Sequence, residues 1–205
     1  MKLISKALFA MAMVLLVSTA NAQTSFGVKA GLNASTVIGF HDAKYKKTGF
    51  HVGLATQTSL TDNLGLESGL YYSTLGLKHE NEVVKIYTDP SYLQLPVSLF
   101  FKLDLSNGLY LYPAVGVYAG YGIGGKFKIE RYTGSLETLK TDFFIDDVTD
   151  RFDFGLNVGA SLRIDQLSIG LGYDLGLTRL NKESLEGATD TKNGNIRVSV
   201  GYFFN

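Results

Sequence analysis

The chain has 205 residues, with 19 Lys+Arg against 19 Asp+Glu, and this formal neutrality excludes a nucleic-acid partner held by broad electrostatic attraction. It has no cysteine, which rules out a disulfide framework and a lipid-anchored cysteine behind an export signal. Its 23 glycines, 12 tyrosines and 13 phenylalanines suit curved strands with aromatic bands better than helices.

The first segment carries Lys2 and Lys6, then the apolar run Ala7 to Val17, then the small residues Ser18-Thr19-Ala20-Asn21-Ala22 before Gln23. A charged start, a greasy middle and small residues at a cut site make an export signal over 1–22. The run is about half of the ~20 residues a spanning helix needs, so it does not anchor the mature chain. Removing 22 from 205 leaves 183 residues, 23–205, with no linker or charge block dividing them: one domain.

Eight segments then alternate in character with period two. The first, about 25–34, sets Phe26, Val28, Ala30 and Leu32 against Gly27, Lys29, Gly31 and Asn33. The second, about 49–60, sets Phe50, Val52 and Leu54 against His51, Gly53 and Ala55. The third, 64–75, sets Leu64, Leu66, Leu70 and Tyr72 against Gly65, Glu67, Gly69 and Tyr71, with an imperfection at Ser68. The fourth, about 92–103, opposes Leu93, Leu95, Val97, Leu99 and Phe101 to Gln94, Pro96, Ser98 and Lys102. The fifth, about 109–124, is the most ambiguous, with Val115, Val117, Ala119 and Tyr121 opposed to Gly116, Tyr118, Gly120 and Gly122.

The sixth, about 151–163, alternates Phe152, Phe154, Leu156 and Val158 with Asp153, Gly155, Asn157 and Gly159. The seventh, about 166–177, alternates Leu167, Ile169, Leu171 and Tyr173 with Ser168, Gly170, Gly172 and Asp174. The eighth runs from Asn195 to Asn205, with Ile196, Val198, Val200, Tyr202 and Phe204 on one side and Arg197, Ser199 and Gly201 on the other.

Tight turns at Thr61-Asp62-Asn63, Leu105-Ser106-Asn107-Gly108 and Asp165 alternate with long polar connections at about 35–48, 76–91, 125–150 and 178–194. Short turns on one rim and long loops on the other are the habit of bacterial outer-membrane barrels. The expected fold is therefore all-β: an eight-stranded antiparallel up-and-down transmembrane β-barrel, closed so that no hydrogen-bonding edge meets hydrocarbon, with periplasmic termini. A soluble antiparallel barrel or sandwich has the same period but buries its apolar face. Against it stands the second face, where Lys29, Glu67, Asp153, Asp174 and Arg197 sit among glycines.

The stretch Tyr92-Leu93-Gln94-Leu95-Pro96-Val97, followed by Tyr112-Pro113-Ala114-Val115-Gly116-Val117-Tyr118-Ala119-Gly120, resembles the PorT-like outer-membrane β-barrel family of Bacteroidota. The opening Phe26-Gly27-Val28-Lys29-Ala30-Gly31-Leu32-Asn33 is similar to that family's first strand. The resemblance implies a small barrel in the outer membrane of a Gram-negative cell and implies little about activity; a link to protein secretion does not transfer to every member. Pro96 lacks the N–H that a mid-strand position donates, which predicts a bulge or distorted pairing there.

Lumen charges are the candidate functional residues: Lys29 and Glu67 low in the barrel, His51, Asp153, Asp174 and Arg197 higher, with Asp174 and Arg197 on neighbouring strands at nearly equal height. In an eight-stranded barrel, side chains fill the interior, so these predict a plug of hydrogen-bonded polar groups. A narrow pore, a small-ligand or lipid-binding barrel and a lipid-modifying enzyme are the other functions open to such a wall. A Ser59–His51–Glu67 set fails as a triad, because strand positions eight residues apart span about 26 Å. No catalytic role, cofactor or metal is expected.

Asp142, Asp146, Asp147 and Asp150 frame Phe143-Phe144-Ile145 in the third outer loop without calcium-loop spacing, leaving an adhesive tip, a lid over the lumen or a hairpin extending strands five and six. Lys44, Lys46 and Lys47 around Tyr45 lie where lipopolysaccharide phosphates would be in reach. The expected partners are outer-membrane lipids and lipopolysaccharide, the barrel assembly machinery reading the strand that ends at Phe204, and an unidentified extracellular or secretion partner.

Overall fold

The computed structural model describes residues 24–38, 47–80, 84–132, 136–144, 150–178 and 192–204, and among them there is no helix. The segment 1–22 expected to be an export signal, His41, Lys44, Tyr45 and Lys46 lie outside the described residues. The strands are β1 (Thr24–Ile38), β2 (Lys47–Ser59), β3 (Leu64–Thr74), β4 (Leu77–Glu80), β5 (Val84–Thr88), β6 (Ser91–Phe101), β7 (Leu103–Asp104), β8 (Leu109–Gly124), β9 (Lys126–Tyr132), β10 (Leu136–Asp142), β11 (Phe152–Ile164), β12 (Leu167–Gly176) and β13 (Lys192–Phe204).

Eight staves close a ring. The order β11-β12-β13-β1-β2-β3-β6-β8 is joined end to end by the pairing of β8 with β11, every neighbour antiparallel. The short β7 is the tip of the β6 stave, since Leu103↔Leu111 continues the register set by Phe100↔Ala114. Turns between staves are tight where the sequence predicts them. Ser106, Asn107 and Gly108 take φ of 85°, 56° and 75°, and Asp165 takes φ of 50°, left-handed conformations that Gly, Asn and Asp tolerate best.

The alternation resolves as apolar outside and polar inside. Leu156, Ile169, Leu171, Val198 and Val200 are 45–62% exposed, whereas Asp153 and Asp174 are 2% and 4% exposed. Aromatic side chains gather at both rims of this apolar wall. Phe26 lies opposite Phe204 near the short-turn rim, and Tyr121 lies opposite Phe152 at the other end, close in height to the Phe50–Tyr72 ring pair. Such a band between two aromatic girdles is a surface shaped for lipid. Ser68 does not break the pattern: it stays on the outward side, where its hydroxyl and that of Thr56 satisfy each other at 2.8 Å.

One expectation is met in its milder form and another is corrected. At Pro96 the pairing with β3 is interrupted, Gly69 and Leu70 forming no ladder pairs between Ser68↔Val97 and Tyr71↔Gln94, while the register is the same on either side of the gap and Pro96↔Tyr118 stays in place toward β8, so there is distorted pairing and no bulge at the proline. A register shift in β6 lies between Ser91 and Tyr92, where the chain enters the wall. The connections at 76–91 and 125–150 are not plain polar loops. They fold into two hairpins, β4–β5 and β9–β10, which pair through β5 and β9 into a second, four-stranded sheet on the long-loop side.

Candidate functional site

Small residues let the inward face carry large polar groups. At the level nearest the short turns, Arg163 donates to Gln57 Oε1 at 2.9 Å, Gln57 donates to Glu67 Oε2 at 2.7 Å, and Lys29 Nζ meets Glu67 Oε1 at 2.5 Å. The two cations also stand over one ring, Phe203, at 4.7 Å for Arg163 and 5.3 Å for Lys29. That ring is fully buried with Ala55 and Tyr71, so the aromatic face supplies part of the charge compensation that water would otherwise give.

One step higher, the imidazole of His51 lies between Asn33 Oδ1 at 2.8 Å from Nδ1 and Ser199 Oγ at 2.9 Å from Nε2. Gly31 makes this possible. It is paired with His51 on one side and with Ser199 on the other, and a Cβ there would come within 2.6 Å of the imidazole Cε1. The ring therefore crosses β1 where β1 has no side chain. Tyr71 meets it edge-on at 6.1 Å.

Arg197 Nε and Asp174 Oδ2 approach to 2.9 Å, and Asn195 donates to the same carboxylate at 3.3 Å. Asp153 accepts three bonds, from Tyr118 at 3.1 Å, Thr178 at 2.8 Å and Asn193 at 2.9 Å. Above it the lumen is roofed by Phe144, whose ring stacks edge-on with Tyr92 at 5.5 Å and occupies the space a Cβ on Gly122 would take. Arg151 holds this lid by donating to the carbonyls of Phe144 and Gly122 at 3.2 and 3.4 Å. Of the three readings open for the third outer loop, a hairpin is formed by Lys126–Tyr132 and Leu136–Asp142, although it joins β5 in the outer sheet rather than extending strands five and six, and the lid describes Phe144.

Two spaces remain. A central cavity of about 80 Å³ is bounded by Lys29, His51, Glu67, Tyr71, Arg197 and Ser199, among others. A wider vestibule of about 310 Å³ opens at the short-turn rim between Gln57, Lys102, Tyr110 and Arg163. The two meet at the Phe100–Tyr112 ring pair, whose residues line both.

Of the six residues singled out in the sequence, the structure pairs Lys29 with Glu67 and Arg197 with Asp174 and gives His51 and Asp153 neutral partners. Asn33, Gln57, Arg163 and Ser199 belong with them and were not singled out. Alternation puts all four on the inner face, but only the register between strands reveals that Asn33 and Ser199 reach the same imidazole. His79 falls in β4, and Lys47 begins β2. Asp146 and Asp147 lie outside the described residues, among which no group of three or more His, Asp or Glu side chains is placed to hold a metal.

Residues 20–182 match the family described as outer membrane protein beta-barrel domain. No curated protein matches the chain. Among solved structures, the attachment invasion locus protein Ail of Yersinia pestis is 15% identical, with 89% of this chain and 99% of that one covered and a TM-score of 0.46. Neisserial surface protein A is 14% identical over 89% and 99%, with a TM-score of 0.48. The outer membrane enzyme PagL is 12% identical over 86% and 98%, with a TM-score of 0.49.

Proposed function

Given that the chain belongs to the outer membrane protein β-barrel domain family, we propose that this outer-membrane barrel is a surface-interaction protein whose specificity lies in its outer sheet, with the lumen closed to transport. The observation that carries this reading is the four-stranded sheet β10-β9-β5-β4, built from two separate loops, above a lumen filled by ion pairs and roofed by Phe144. A protein that only conducts has no use for the extra sheet, and one that conducts steadily has no room for the plug.

The finer assignment to the PorT-like group rests on Tyr92–Val97 and Tyr112–Gly120. Export through residues 1–22, periplasmic termini, recognition of the Phe204-ended strand by the assembly machinery, lipopolysaccharide contact and an extracellular or secretion partner complete the same proposal. A second reading, a small-ligand barrel, draws on the 310 Å³ vestibule.

The test uses a deletion of 126–142. Phe143 N donates to Gly125 O at 3.1 Å, so a two-residue glycine link spans the gap. The shortened protein is expected to keep the heat-modifiable gel migration of a folded barrel while losing adhesion of cells or extracellular proteins to the reconstituted protein. Full-length protein in planar bilayers is expected to show no steady conductance. Frequent open events of uniform size, or adhesion unchanged by the deletion, would overturn the reading.

A further inference from the structure

We propose that Ser199, His51 and Asn33 form a nucleophile relay facing the central cavity, able to hydrolyse short-chain acyl esters that enter from the vestibule. This adds a chemical activity to the surface role and does not depend on it.

The proton positions follow from the hydrogen bonds. Asn33 Nδ2 faces the carbonyl oxygens of Phe50 and Thr74, both at 3.1 Å, and Ser73 Oγ at 2.9 Å. Those carbonyls accept only, so the amide nitrogen must stay on that side and Oδ1 must face the imidazole. An oxygen acceptor there requires the proton on Nδ1 of the neutral ring. Nε2 is then a bare lone pair, and the group 2.9 Å from it is the Ser199 hydroxyl. A serine whose proton is directed at an imidazole fixed by a third group has the arrangement of an activated nucleophile.

The surroundings suit the charge that would develop. Lys29 pairs with Gly201 and Arg197 with Asn33, so the two cations flank the Ser199 level from below and above. Both line the same cavity as Ser199. Glu67 and Asp174 hold these cations in place as ion pairs, so a negative oxygen forming beside Ser199 would meet fixed, already ordered dipoles rather than net positive charge. The cavity of about 80 Å³ has room for several waters or a short acyl group and no long chain.

The reaction balances without a further reagent. Ser199 Oγ bonds to the ester carbonyl carbon as its proton passes to His51 Nε2. The tetrahedral intermediate then breaks its bond to the leaving oxygen, which takes that proton. Water attacks the acyl-Ser199, giving its proton to Nε2 and then back to Oγ, and releases the carboxylic acid. Asn33 touches no reacting atom and is a positioning residue.

The test uses full-length folded barrel in detergent micelles, with vinyl acetate as substrate. Expected results are an acetyl mass increment on Ser199, steady release of acetate, no turnover for Ser199→Ala, and at least about hundred-fold slower turnover for His51→Gln. Folding of each variant is checked by heat-modifiable migration. Nitrogen NMR of the wild-type imidazole should show a protonated Nδ1 and bare Nε2, and Asn33→Ala should mix the tautomers and slow turnover at least about tenfold. Access is measured separately on the Ser199→Cys variant with methyl methanethiosulfonate, a reagent similar in size to the ester. Labelling of that variant's thiol alongside an inert wild type overturns the proposal, and so does a thiol that stays unlabelled, since a sealed cavity admits no substrate.

Discussion

Lys29 and Glu67 meet at 2.5 Å across an intervening strand, one from β1 and the other from β3, with 12% and 24% of their side chains exposed. The contact therefore ties the wall together through its interior. Glu67→Gln leaves the ammonium with a weaker partner in a site short of water, and the expected loss is about 2–3 kcal/mol, below the range for fully buried pairs because both groups keep some solvent. The double change Lys29→Met with Glu67→Leu should recover most of it. Urea titration followed by gel mobility or tyrosine fluorescence measures both, the chain having no tryptophan.

Two inward glycines should respond oppositely to a methyl group. A Cβ on Gly31 would sit 2.0 Å from the Val198 carbonyl oxygen, which belongs to the backbone and cannot swing away. Gly31→Ala is expected to cost about 3 kcal/mol or to prevent folding. At Gly120 the nearest atoms are 3.6 Å away, and Gly120→Ala should be neutral or stabilising by up to about 0.5 kcal/mol. Parallel refolding yields and urea midpoints distinguish them.

On the outer face, cost should follow depth. Leu171 lies in the middle of β12 and Leu167 at its short-turn end, with similar exposures of 61% and 59%. Leu171→Arg is expected to lose about 2–4 kcal/mol in a bilayer and Leu167→Arg about 0–1. Equal losses for the two, measured by unfolding from liposomes, would show that this face does not lie in hydrocarbon.

Phe144→Ala removes the ring lodged over Gly122. The Gly122 amide bonds to the Arg151 carbonyl oxygen at 2.6 Å beneath that ring. Losing about 3 kcal/mol of local packing should speed exchange at this amide roughly 100-fold, while amides in the middle of β12 stay protected. Hydrogen exchange read by NMR in micelles separates this local opening from global unfolding.

Period-two alternation was enough to place all eight staves and their faces, because lipid outside and polar groups inside impose the same pattern on each. It was enough as well to put Asp174 and Arg197 at nearly equal height on neighbouring strands; the register sets them two residues apart, Asp174 opposite Asn195 and Arg197 opposite Gly172, and their side chains close the offset. Alternation does not carry register between strands distant in sequence, so the meeting of Asn33, His51 and Ser199 stayed hidden although each was placed on the inner face. The outer sheet escaped for another reason. Val84–Thr88 and Leu77–Glu80 are too short to display a period, and although Lys126-Phe127-Lys128-Ile129-Glu130 does alternate, it adjoins the end of β8 and reads as loop until its partner β5 is known.

The β5–β9 pairing fastens two outer hairpins to each other beyond the membrane, and these hairpins top the β3–β6 and β8–β11 connections. Mechanical load is thereby shared across that half of the wall. Peeling from the amino end would strip β1 and β2, and peeling from the carboxyl end β13 and β12, one stave at a time. Either way the rupture should stall on reaching the fastened half, leaving β3, β6, β8 and β11 as the last part to yield to force.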